Sequence, residues 1–197
     1  MSSQASKLIG HLKTLEWTRA KIERLYAQGL LVRRDVERVY EGLYLDAITS
    51  LESAIEELFV RLLTGRGAPS GIVPRVTFRS SRVAREVMLG GERKYLDWFP
   101  YERTEKRAKA FFRAGEPFTR LERADKRVIE DLLVIRNAIA HKSHYSKRRF
   151  EQFASGYPLL PHERTPAGFL RSRIDPRTTR FQFYTAEIAR IIQILCR

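Results

Sequence analysis

The chain holds one cysteine in 197 residues, Cys196. No internal disulfide can form, which excludes the stapled secreted scaffolds and points to a reducing interior. No apolar run approaches the roughly 18 residues needed to cross a bilayer. The opening MSSQASK lacks the apolar core of a signal peptide. A soluble, cytoplasmic protein with no membrane partner is therefore expected. A phosphate-binding loop of the G-x-x-x-x-G-K-[ST] kind is missing, since GRGAPSG at 65–71 lacks the closing lysine and hydroxyl residue. No G-x-S-x-G elbow occurs. His11 and His162 stand alone, without Cys, Asp or Glu at ligand spacing, so neither a metal nor a cofactor is expected. Repeats and low-complexity tracts are also absent. Acidic residues are short in number, 23 against 37 Lys and Arg, for a net charge of +14. That surplus suits a polyanionic partner such as nucleic acid. Charge alone equally allows a solvated basic surface with no single ligand.

Helical periodicity fills most of the rest. Leu8, Leu12, Leu15, Ile22, Leu25 and Tyr26 mark a first helix that Gly29 breaks. Asp35 reads as the N-cap of a longer one. In it, Tyr44, Ile48, Leu51, Ile55, Leu58 and Leu62 step by four, three, four, three and four, before TGRG at 64–67 stops it. Residues 65–80 read as a loop. Short helices are predicted over 81–89, about 93–98, and 104–112. A helix over 122–140 follows, then one near 146–154, a Pro-rich irregular segment over 156–177, and a closing helix over 185–195. FQFY, Phe181–Tyr184, is the one candidate for a short strand. The fold class is all-α, a helical bundle with short extra helices and a Pro-rich loop. Residues 1–34 are expected to pack on or extend a domain formed by 35–197.

The segment DLLVIRNAIAHKS places Arg136, Asn137 and His141 at the end of an apolar helix. With Leu132 at the centre of the buried face, Val128, Ile135 and Ile139 fall within about 40° of it at 100° per residue. Arg136 lies at the edge of that stripe. Asn137 and His141, four apart, share the far side with Glu130, Leu133 and Val134. That surface is too apolar for plain solvation and suits packing against another element or a second copy of the chain. Arg136 and His141 are nearly opposite on an ideal helix, yet a long arginine and a helix that ends before His141 can bring them together. Histidine suits proton transfer near neutral pH. A guanidinium can hold a phosphate oxygen and offset growing charge, and asparagine can orient the imidazole or a ribose hydroxyl. These types fit RNA cleavage by its own 2′-hydroxyl. A plainer account is that a basic residue and a histidine complement the helix dipole, and spacing alone favours it.

The surroundings shift that balance. Arg136-Asn137-Ala138-Ile139-Ala140-His141 resembles the Arg-x4-His motif of the HEPN superfamily, with a polar residue after the arginine. LESAIEELFVRLL, DWFPYERTEKRAKAFFRAGEPF, VIRNAIAHKS and TTRFQFYTAEIARIIQ are together similar to the RiboL-PSP-type HEPN branch, over most of the chain from Val36 onward. The resemblance implies a helical bundle that forms a homodimer, with two motifs meeting in one cleft. It implies a metal-independent endoribonuclease of toxin–antitoxin or anti-phage defence, with an antitoxin or other defence-system protein as partner. His141 would be the general acid/base, Arg136 the phosphate and transition-state stabiliser, and Asn137 the orienting group. Products would be a 2′,3′-cyclic phosphate and a 5′-hydroxyl. Some family toxins carry a tyrosine two residues after the histidine, the target of AMPylation. Here that position is Ser143, so such control is not expected.

RNA contact is expected from two basic stretches with aromatics. KRAKAFFR offers Lys106, Arg107 and Lys109; KSHYSKRRF offers Lys142, Lys147, Arg148 and Arg149. Phe111 and Phe112 in the first fit a core better than a stacking platform, whereas for the second stretch RNA contact is slightly favoured. Glu52, Glu56 and Glu57 read as a solvated face. Two competing readings stand beside the enzyme. One is a catalytically silent HEPN-like dimer that binds RNA or protein; the other is a DNA-binding regulator, for which no helix-turn-helix signature exists.

Overall fold

The stepped apolar residues of the long helix are all buried in the computed structural model: Tyr44, Ile48, Leu51, Ile55, Leu58 and Leu62 are each at most 5% exposed. The structure describes residues 3–65, 72–90 and 95–197. Among them are eight α-helices and no strand, an all-α fold. These are α1 (Ser3–Ala27), α2 (Arg33–Leu63), α3 (Ser81–Leu89), α4 (Tyr101–Phe111), α5 (Arg123–Ala140), α6 (His144–Ala154), α7 (Pro166–Arg171) and α8 (Arg180–Leu195). Gly29 ends α1 at φ 73°, while Gly29 N–H donates to Tyr26 and Leu30 N–H to Leu25, the paired bonds of a left-handed helix stop. No helix among the described residues is long and apolar enough to cross a membrane.

Several elements differ from the sequence reading. Asp35 lies inside α2, not at its cap; its carboxylate accepts the Val32 N–H at 3.3 Å from the first turn. Phe181–Tyr184 belongs to α8, because Phe181 and Tyr184, three apart, both fall on its buried face. Tyr95–Trp98 is not helical, and the predicted residues 93–94 lie outside the described ones, as do 66–71 of the predicted loop. The Pro-rich segment contains α7. There Thr165 caps the helix by accepting the Gly168 N–H at 3.0 Å, with Pro166 in the first helical position. Gly168 is required at this place, since a Cβ would come within 2.5 Å of the His162 carbonyl oxygen.

The chain divides into two compact units. The first comprises Met1–Leu8, Leu51–Ile129 and Arg190–Arg197. Its core centres on Phe59, whose ring lies 4.9 Å from those of Phe112 and Phe118 and 5.2 Å from Trp98. Glu56 is not the solvated residue expected. It accepts from Arg85 Nε at 2.7 Å and Trp98 Nε1 at 3.1 Å, tying α2 to α3 and to the segment before α4. Buried Asp125 accepts the Glu122 N–H at 2.8 Å and pairs with Arg190 at 2.6 Å, so α5 starts on a satisfied charge.

The second unit comprises Ile9–Ser50 and Glu130–Ala189. Phe169 of α7 packs on Phe150, Phe153 and Tyr157, and the buried Arg180 guanidinium stacks on Phe169 and Tyr157 at 4.8 and 5.0 Å. Glu23 takes two hydrogen bonds from Arg171 and one from Tyr40. Burial pushes the Glu23 carboxyl up, but those donors outweigh it and hold it below its ordinary range.

Candidate active site

The end of α5 is fixed by its buried line. Ile129, Leu132 and Ile135 are at most 1% exposed, whereas Val128 and Ile139, expected in the core stripe, are only half-buried. The line thus runs a little to one side of the expected one. Tyr44 of α2 donates its buried hydroxyl to the Leu132 carbonyl at 3.2 Å, which further fixes the rotation of the helix in this unit. Leu133, Val134 and Asn137 on the far side are half-buried, and His141 is exposed.

The helix ends at Ala140, and the His141 N–H makes its last bond, to the Asn137 carbonyl at 2.9 Å. That ending frees the imidazole to swing toward Arg136. Arg136 Nη1 donates to Asn137 Oδ1 at 3.0 Å and lies 3.3 Å from His141 Nε2. A guanidinium has only donors, so a hydrogen bond in this pair requires Nε2 as the acceptor, with the imidazole proton on Nδ1. Arg136 remains half-buried, and among the described residues Nε and Nη2 have no hydrogen-bond partner. The three residues singled out at 136, 137 and 141 therefore converge within one chain. They bring together a lone pair able to take a proton, a fixed positive charge and an amide that orients it.

Ser143 has a structural task. It is the N-cap of α6, its hydroxyl accepting the Ser146 N–H at 3.2 Å, so the turn from α5 to α6 takes only residues 141–143. Lys142 and Lys147 line a pocket of about 280 Å³ that includes His141. Arg148 and Arg149 are exposed on α6 but do not line it. Lys106, Arg107 and Lys109 belong to the first unit, where Lys106 and Arg107 line a separate groove. Of the aromatics in the two stretches, Phe112 and Phe150 are core and Tyr145 is 71% exposed.

Two carboxyls of the same unit are raised. Burial, and Glu37 beside it, lift Glu41 of α2, with Lys142 acting against the shift. Burial, then Glu130, pushes Asp131 to about 6. Among the described residues no group of three His, Cys, Asp or Glu stands together as a metal site. Sequence reasoning missed Arg164 and Thr165, which share the pocket with His141. Their signal was the Thr-Pro pair at 165–166, a helix start inside a segment read as irregular. Comparison of the chain with protein-family models, with curated proteins and with solved structures finds no match in any of the three.

Proposed function

We propose that the protein is a HEPN-type, metal-independent endoribonuclease acting as a homodimer in the cytoplasm, within a toxin–antitoxin or anti-phage defence system. The observation that carries the reading is the Arg136 guanidinium within hydrogen-bond reach of both Asn137 and His141 Nε2, beside a cationic pocket. His141 takes the 2′-hydroxyl proton, the 2′-oxygen bonds to phosphorus, and the 5′-oxygen leaves with a proton from a second, protonated imidazole. The products are a 2′,3′-cyclic phosphate and a 5′-hydroxyl. Arg136 offsets charge on the phosphorane oxygens. One chain supplies one such imidazole, and a second copy supplies the other; the half-buried Leu133 and Val134 beside Asn137 suit that contact. RNA contact falls first to Lys142 and Lys147, then to Arg148 and Arg149. In the first unit, taken by itself, Lys106, Arg107 and Lys109 are the cations proposed for RNA contact.

The test uses end-labelled single-stranded RNA and a matching DNA strand in excess EDTA, with wild type and His141→Ala in parallel. Wild type should cut RNA alone and leave a cyclic phosphate. His141→Ala removes the base and, on the second copy, the acid as well, so the rate should fall by at least about 10²–10⁴ with an unchanged circular-dichroism spectrum. Cleavage by His141→Ala at the wild-type rate sinks the reading. Tight RNA binding without cleavage by either protein supports a binding module instead.

A further inference from the structure

The pocket beside His141 does not end there. Its charged lining of Lys142 and Lys147 is joined by apolar Ala138, Phe150 and Pro166. Arg164 and Glu151 line it too, and both also line a second pocket of about 390 Å³ with Ser155 and Tyr157. The two pockets therefore adjoin, and His141 borders only the first. At about 280 and 390 Å³, the first falls just short of, and the second at the low end of, the roughly 300–1,000 Å³ of small-ligand sites. Each has room for one nucleoside, with apolar or aromatic surface for a base and cations for the backbone.

Arg164 is the residue the two pockets share that can hold a phosphate. Among the described residues its guanidinium forms no hydrogen bond or ion pair, although the chain around it is fixed. Its own N–H donates to the Pro161 carbonyl, and the next residue, Thr165, caps α7. The other shared charge, Glu151, faces exposed Lys147 at 3.8 Å, a contact too loose and solvated to neutralise the site.

We propose that the two pockets form a two-nucleotide track that leads an RNA strand to His141, with Arg164 holding the phosphate between the two nucleotides. The track rests on the ribonuclease reading of Arg136, Asn137 and His141 and adds to it a route for the strand. Arg164 is a binding residue here and takes no part in the proton transfers.

The test uses fluorescein-labelled 2′-fluoro oligonucleotides of one to four nucleotides, which lack the nucleophile and stay intact. Anisotropy is read for wild type, Arg164→Gln and Arg177→Gln, and unmodified RNA of the same sequence is followed for cleavage. Arg177 is exposed and lines neither pocket, so its variant reports the removal of one charge anywhere. Arg164→Gln should weaken the tetranucleotide on the order of tenfold and leave the mononucleotide nearly unchanged. It should reduce the log–log salt slope by roughly 0.7 and lower kcat/KM for cleavage with kcat retained. Ser155→Tyr, which fills the second pocket, should give the same length dependence without a change of charge. If Arg164→Gln and Ser155→Tyr match Arg177→Gln in binding and cleavage while wild type cuts and His141→Ala does not, the track is overturned and the ribonuclease reading stands. If nothing is cut but binding still depends on Arg164 and on length, the track is upheld as a strand site and the ribonuclease reading fails.

Discussion

On α4 and just after it, Phe112 is fully buried against Phe59 and Phe118, and Arg107 lies 4.7 Å over the Trp98 ring while donating to the Asp97 carbonyl. On α6, Tyr145 is 71% exposed, Arg148 and Arg149 are exposed, and only Phe150 enters the core. Both stretches combine cations with rings. The difference lies in register. The buried line of the first runs Tyr101, Thr104, Ala108 and on to Phe112, so its ring is a packing residue. The buried line of α6 runs Ser146, Phe150 and Ala154, and Tyr145 stands one position, about 100°, off it. A ring beside cations becomes a ligand surface only when it falls on the exposed arc.

The largest way to break that contrast is through stability. Phe112→Ala should cost about 3–5 kcal/mol, read from urea unfolding, because it empties a site walled by other rings. RNA affinity of the folded fraction should stay at the wild-type value. A folded Phe112→Ala protein with weakened RNA binding would place that ring in the interface and erase the distinction.

How much of this was legible depended on whether a residue's role was local. The helix periods, the α2 face and the convergence of Arg136 with His141 all followed from spacing and from one arginine's reach. Ser80, Ser143 and Thr165 act as caps through bonds to their own neighbours, and the Thr165–Pro166 start was open to reading. Glu56 was not. Its partners Arg85 and Trp98 are 29 and 42 residues away, and no local pattern distinguishes an anchored carboxylate from a solvated one. The two adjoining pockets were equally hidden, since their lining draws on α5, α6 and the turn before α7.

Charge removal is the next test in size. Lys147, Arg148 and Arg149 changed together to Gln should lower RNA affinity by about 10²-fold and the log–log salt slope by about two, at roughly 0.7 per phosphate contact for a single strand. Lys106 and Lys109 changed to Gln should move affinity only about threefold, since no exposed ring accompanies them on α4. Filter binding over a salt series reads both. Equal losses from the two sets would make α4 as much a strand surface as α6.

The smallest effect concerns acids, where the same contrast of anchored and unanchored groups recurs. Glu56 in the first unit has two donors; half-buried Asp131 in the second has no hydrogen bond or ion pair among the described residues. Burial, with Glu130 beside it, raises its folded pKa to about 6, against roughly 3.9 in an unfolded chain. Between those values the native state keeps a proton that the unfolded chain has lost, so stability falls as pH rises through that window and is level above it. Asp131→Asn removes the charge while keeping the shape. The variant should match wild type below about pH 4 and exceed it by at most about 1 kcal/mol at neutral pH, the bound being low because water screens a half-exposed group. Urea midpoints at the two pH values decide it. An equal gain at both would attribute the effect to packing and leave Asp131 an ordinary solvated acid.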